Sequence, residues 1–338
     1  MERGIKMEKI DRVNRPFVIG TPSLFFINSP FQALCMLEAI EEFCIKDYKV
    51  FLVLYDDMRN NQLMTLLDKS CITYTIIDGS KVGLIDYITL IFSYNCNRYK
   101  RAFIGHYNSD AFLYYAIKKL SRKSDIIYLD DGAATIPLLK GSFKRTFRGE
   151  ILFDFFKSIS YIKGISLDNI FTIYDGIINE SYRVHICGFN RLNKLQNAKK
   201  KGGVLIIGTH SQRYCEAYGL NKEVYSSCLD KYLCRIANTY PNEKIVFVPH
   251  GRDNLDLPLS LCEKYKIVYQ KVDTTVELYV LNSATIPIAI YGFTSSALFN
   301  LKKIIPSCQV NNILLSVNNT LEEISLYYET IGIKTIRN

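Results

Sequence analysis

The sequence predicts an α/β protein built as two successive units, and three observations carry this. Short apolar runs alternate with longer stretches whose apolar residues recur at helical spacing. The alternation is interrupted at 194–203, a polar, basic segment ending in two glycines, and then restarts. The chain has 338 residues, which suits two domains at roughly 100–200 residues each.

In the first half, strands are expected at 24–28, 50–55, 73–77, 102–105 and 126–129, with helices at 31–43, 60–69, 84–92 and 109–120. Strands separated by helices need crossover connections, so the sheet should be mainly parallel and covered on both faces. After the connector, 204–207 reads as a buried strand, 222–240 as a helix closed by Pro241-Asn242, and 244–248 as a strand. A strand at 267–270 leads to a helix at 276–282 capped by Thr274 or Thr275. A strand at 286–291 then leads to a helix at 295–302 opened by Thr294. The domains are placed at 17–190 and 203–315, with a last helix near 321–328 in a 316–338 tail able to pack back on the first domain. Two such units are expected to face a cleft, with ligands beyond the carboxyl ends of the strands.

Composition narrows the function. With 48% hydrophobic and 22% charged residues, the chain has enough apolar surface to fold, which excludes disorder. The formal charge of +9 points to an anionic partner: nucleic acid, a phosphorylated substrate or an anionic membrane face. Tryptophan is absent and no nucleic-acid-binding motif occurs, so nucleic acid is the least expected of the three. Residues 1–16 are charged, and the apolar run from Phe17 is broken by Thr21, Pro22 and Ser23, so a cytoplasmic location is expected. None of the ten cysteines forms a Cys-x-x-Cys pair; they read as small buried side chains, and no metal site is expected. Dinucleotide and P-loop glycine motifs are absent.

Four strand ends carry polar groups that a packed core does not need. Asp130-Asp131-Gly132 places two carboxylates after an apolar strand, where one can serve as a base, although Asp-Gly is also ordinary turn chemistry. Pro249-His250-Gly251-Arg252 puts an imidazole and a guanidinium after another strand, suited to holding a phosphate or protonating a leaving group. Thr294-Ser295-Ser296 sets three hydroxyls at a helix start, which is an anion site or simply an N-cap. Gly208-Thr209-His210 follows the first strand of the second unit. A base, an acid and a phosphate cradle are the parts of a group transfer from an activated phosphate ester.

Taken in order, these strings resemble the bacterial sialyltransferases of lipooligosaccharide, O-antigen and capsule assembly. Asp130-Asp131-Gly132, Pro249-His250 and Thr294-Ser295-Ser296 match that group's acidic, His-Pro and Ser-Ser motifs, and Asn28-Ser29-Pro30-Phe31-Gln32-Ala33 is similar to its first strand-to-helix loop. Gly251 departs from the pattern by standing where the group has proline. The likeness covers 28 to about 300.

It implies a glycosyltransferase of the B type, with two Rossmann-like domains. CMP-sialic acid would be the donor, with inversion at the anomeric carbon, no cofactor and no obligatory metal. By the same resemblance Asp130 would be the base and Asp131 its support, with Glu216 as an alternative base. His250 would serve the departing phosphate with Thr294, Ser295 and Ser296, and Glu277 would hold the ribose. Gly208 and Thr209 would let the backbone approach the donor, and Pro249 and Gly251 would shape the histidine turn. The acceptor would be a galactose-type hydroxyl, linked α-2,3, on a glycan carried by a lipid diphosphate. Lys140, Lys144, Arg145 and Arg148, with Lys199, Lys200 and Lys201, would then meet the inner membrane surface, and a homodimer is allowed. Another nucleotide-sugar transferase or a CDP-alcohol phosphotransferase needs the same groups, and a non-catalytic polyanion-binding module would use only the charge.

Overall fold

The structure is a computed structural model that describes residues 19–54, 59–79, 82–92, 98–107, 109–132, 135–141, 143, 145–176, 181–194, 199–251, 253, 256–315 and 319–337. The chain divides between Asn190 and Arg191 into two compact units.

The first unit runs β1 (Ser23–Ile27), α1 (Pro30–Glu42), β2 (Tyr48–Leu54), α2 (Arg59–Lys69), β3 (Tyr74–Asp78), α3 (Leu84–Phe92), β4 (Arg101–Ile104) and α4 (Asp110–Lys119). It continues through β5 (Asp125–Leu129), α5 (Thr135–Leu139), α6 (Phe147–Lys163), β6 (Ser166–Thr172) and β7 (Arg183–Ile186). Its seven strands form one sheet in the order β3-β2-β1-β4-β5-β6-β7, and every pairing is parallel. Phe25 and Phe103 stack on neighbouring strands with ring centroids 4.7 Å apart, and Phe26 stacks on Phe51 at 5.1 Å. Strands apolar on both faces are what a sheet covered on both sides requires, and β1 is buried along its whole length.

The second unit opens on α7 (Asn190–Lys194), β8 (Lys200–Lys201), β9 (Val204–Ile207), α8 (Ser211–Tyr218), α9 (Lys222–Thr239), β10 (Ile245–Val248) and α10 (Leu257–Lys264). There follow β11 (Val268–Tyr269), α11 (Val276–Asn282), β12 (Thr285–Ile286), β13 (Ala289–Gly292), α12 (Ser296–Ile304), β14 (Gln309–Leu314), α13 (Asn319–Thr330) and β15 (Lys334–Arg337). Six strands form a parallel sheet in the order β11-β10-β9-β13-β14-β15. Counted within its own sheet, and up to the sixth strand, each unit follows the same doubly wound order 3-2-1-4-5-6, the Rossmann-like arrangement expected. The order reverses between β1 and β4 in the first sheet and between β9 and β13 in the second.

Three expectations need correction. The 286–291 strand is two elements: Pro287 offers no amide hydrogen, so β12 ends there and pairs with β8, while β13 enters the main sheet. The 194–203 connector is therefore tied down by the β8–β12 pairing, with 195–198 outside the described residues. The tail, expected to be able to pack on either domain, belongs to the second unit, where β15 extends the sheet beside β14. Tyr328 anchors it: the side chain is fully buried, its hydroxyl donates to the Ser295 carbonyl at 2.9 Å, and its ring lies 6.3 Å from that of Phe299. Replacing it leaves a large cavity, so Tyr328→Ala is expected to cost the second unit ~3 kcal/mol in denaturant unfolding. An unchanged unfolding curve would show that the tail contributes nothing to that core.

Candidate functional site

Doubly wound sheets offer ligand sites beyond the strand carboxyl ends, at the point where strand order reverses. In the first unit, that edge is organised by Gln32. Ser29 caps α1 by accepting the Gln32 amide at 3.3 Å, and Pro30 begins the helix, so Gln32 lies in its first turn. The fully buried side chain accepts the Asn28 amide at 2.8 Å through Oε1. Nε2 donates to the Gly105 carbonyl at 2.7 Å and to Asp131 Oδ1 at 2.9 Å. One amide thus joins the ends of β1, β4 and β5. Gly105 must lack a side chain for this, since a Cβ there would lie 2.1 Å from Gln32 Oε1.

The two adjacent carboxylates have different environments. Asp130 is completely buried; it accepts Thr172 Oγ1 and the Ile173 amide, both at 2.6 Å, and so fastens β5 to the end of β6. Burial pushes its pKa up to about 7, against the lowering effect of those hydrogen bonds. A general base must reach the proton it takes, and Asp130 reaches only its own fold. Asp131 is the accessible one, with a side chain 27% exposed, its amide donating to Thr135 Oγ1 at 3.1 Å and its Oδ2 3.8 Å from His106 Nδ1. The structure therefore speaks against Asp130 as a base, and of the two carboxylates only Asp131 is open to solvent.

In the second unit the ends of adjacent strands β10, β9 and β13 carry His250, Thr209-His210 and Thr294-Ser295. The rings of His210 and His250 lie 5.5 Å apart, and His250 is exposed. Ser211 Oγ donates to Asp253 Oδ1 at 2.6 Å, and the Asp253 amide to the His250 carbonyl at 2.8 Å, which closes the histidine turn. Ser295 is the N-cap of α12, its Oγ accepting the Ala297 amide at 3.3 Å, and Ser296 is that helix's first residue. Thr294 sits at φ +49°, a left-handed conformation that costs a non-glycine residue ~1 kcal/mol or more. It is held there by buried Asn312, whose Oδ1 accepts its amide at 2.8 Å and whose Nδ2 donates to Ser325. The Thr294 hydroxyl is shielded from solvent and has no hydrogen-bond partner among the described residues. A spare hydroxyl, a second one on Ser296 and the N-terminus of α12 together favour an anion.

Four other expected residues fall differently. The missing Gly208 side chain leaves room for protein: a Cβ would lie 3.0 Å from the Phe247 ring and 3.1 Å from Pro249 Cα. Glu277 is buried in the first turn of α11 and accepts Asn300 Nδ2 at 2.8 Å, so it fastens α11 to α12 where an open ribose contact was expected. Burial raises its pKa. Glu216 is exposed on α8, accepting Gln212 Nε2 at 2.8 Å as a helix-surface pair. Around Gly251 a Cβ would meet nothing within 4 Å, so the departure from proline is not forced by packing. Arg252 and Lys144 lie outside the described residues.

Gln32, His106, Asp253 and Asn312 were given no role from the sequence. His106 had a readable signal, since Ile104-Gly105-His106 repeats the strand–glycine–histidine pattern of 207–210. A cavity of about 660 Å³ among α8, α9 and α10 shares Ser211 with the strand-end groups and none of the histidines. Among the described residues no three His, Cys, Asp or Glu side chains are grouped to hold a metal.

The chain matches no family model and no curated protein sequence. Among solved structures it is similar to UDP-GlcNAc 2-epimerase from Neisseria meningitidis bound to UDP-GlcNAc, at 12% identity and a TM-score of 0.46 over 90% of this chain and 84% of that one.

Two outcomes are expected. Gly105→Ala should cost ~1–3 kcal/mol in unfolding, since Gln32 must leave its three partners, whereas a loss under ~0.5 kcal/mol would mean the tie is loose. Asp130 has a raised folded pKa, so its contribution is fully present below the unfolded value and is lost as pH rises through about 7. From about pH 5 to pH 8 this should lower stability by about 3 kcal/mol, and Asp130→Asn should remove that slope. An identical slope in both proteins would assign it to another group.

Proposed function

We propose that this protein is an inverting glycosyltransferase that moves sialic acid from CMP-sialic acid to a galactose-type hydroxyl of a bacterial surface glycan, in α-2,3 linkage. The observation that carries this reading is the chemistry that each unit holds at its own strand-order reversal. The first holds an oriented, accessible carboxylate, and the second holds paired imidazoles beside hydroxyls and a helix N-terminus.

Asp131 takes the proton from the acceptor hydroxyl as its oxygen bonds to the anomeric carbon. The bond from that carbon to the CMP phosphate oxygen breaks, and the electron pair leaves with the phosphate. His250 donates a proton or hydrogen bond to that oxygen, while Ser296 and the α12 amides receive the remaining charge. Gln32 keeps one lone-pair direction of Asp131 occupied, which leaves Oδ2, near His106, as the working oxygen. Nothing in this scheme calls on a metal or a cofactor. The choice of CMP and of sialic acid rests on the ordered motifs, and the division of roles rests on side-chain geometry.

The test is transfer from CMP-sialic acid to a galactose-terminated acceptor. Asp131→Asn and His250→Ala should each lower kcat by ~10²–10⁴, the range general acid–base groups supply. Glu216→Gln should retain activity. A fully active Asp131→Asn enzyme would remove the base assignment, and no transfer by the unaltered protein would remove the reading.

A further inference from the structure

We propose that the outer face of helices α3 and α6 in the first unit docks onto the surface of an anionic lipid bilayer. The two helices share one layer with α4: the Tyr87 ring of α3 lies 5.1 Å from that of Phe156 on α6 and 5.9 Å from that of Tyr114 on α4. The inner side of α6 buries Phe156, Ile159 and Ser160. Its outer side is apolar as well. Phe147, Ile151, Tyr161 and Ile162 are between 54% and 87% exposed, and Ile85 and Ile88 on α3 are 79% and 48% exposed.

Positions 147, 151 and 162 fall on one stripe of a helix with 3.6 residues per turn. The buried stripe packs on the first unit, and the other faces solvent. Apolar surface gathered on one face of a protein marks an interaction site.

Charge selects the occupant. Arg148, Lys157 and Lys163 lie on α6, and exposed Arg122 and Lys123 adjoin its C-terminal end, where the Lys123 amide donates to the Lys163 carbonyl at 3.2 Å. Lys140 and Arg145 precede the helix, with the Arg145 guanidinium 3.7 Å above the Phe153 ring. The acids on the two helices are Glu150, Asp154 and Asp86; Asp86 accepts the Gly83 amide, and Glu150 the Arg145 amide. With the flanking Arg122, Lys123, Lys140 and Arg145, seven bases stand against these three acids and Asp110 of α4, which faces Arg145 and Arg148, so a second copy paired about a two-fold axis would set a net basic face against itself. An anionic bilayer meets the lysines and arginines with opposite charge and accepts Phe, Tyr and Ile at its headgroup boundary. No described helix is long and apolar enough to cross a membrane, so the contact is interfacial.

Flotation of the full chain with phosphatidylcholine vesicles, with and without phosphatidylglycerol, tests this without reading catalysis. The protein should float with the anionic vesicles only, and salt should release it. Ile151→Ser/Ile162→Ser and Arg148→Glu/Lys157→Glu should each lower the bound fraction at least about tenfold. All four positions are solvent-facing, so circular dichroism and transfer to a soluble acceptor should stay unchanged. No flotation of the unaltered chain, equal flotation of the variants, or a dimer in solution that these substitutions dissociate would each overturn the proposal.

Discussion

One buried amide organises the edge on which the proposed chemistry depends. Gln32 satisfies its acceptor and two donor bonds on three different strand ends, and one of those bonds ends on the Asp131 carboxylate. A buried amide without partners would cost ~1–3 kcal/mol, and a bond to a charged group contributes more than one between neutral groups. The geometry is therefore selective: displacing β1, β4 or β5 at this edge breaks one of these bonds, of which that to Gly105 is fully buried. Asp130 continues the chain of bonds to β6, so neighbouring carboxylates divide the work, one inside the fold and one at its surface.

The second unit ties its strand-order reversal together by other means. Its reversal point is held by a threonine in a conformation that favours glycine, fixed from below by Asn312 and Ser325. The strain is offset by burial and hydrogen bonding, and its product is a sheltered hydroxyl beside a helix N-terminus. Such an arrangement suits a phosphate because the donors are already oriented before it arrives.

Much of the fold was legible because doubly wound sheets write themselves as alternating periods. The strands at 204–207 and 245–248 and the helix at 276–282 fall where apolar runs and caps put them. The break at Pro287 was missed because both sides of it are apolar, and only pairing distinguishes β12 from β13. Helix α6 was missed because its apolar residues face both inward and outward, which erases the one-sided pattern that marks an amphipathic helix. At the strand ends, the motifs could not say which of two adjacent aspartates is buried. That depends on Thr172 and Ile173, 42 and 43 positions further along the chain. The roles of Gly208 and Glu277 were likewise set by distant neighbours, Phe247 and Asn300.

The net charge of +9 now has a location in the account, since basic residues flank the exposed apolar face of α3 and α6. In the proposed function the strand-end residues answer a different anion, the phosphate of a nucleotide donor, and it is on this assignment that the proposal turns. Titration calorimetry of the full chain with CMP, CDP and UDP measures it directly. The account predicts that CMP binds, that His250→Ala weakens it at least about tenfold, and that Asp131→Asn leaves it unchanged. Binding of none of the three, a preference for UDP, or CMP affinity indifferent to His250 would contradict it.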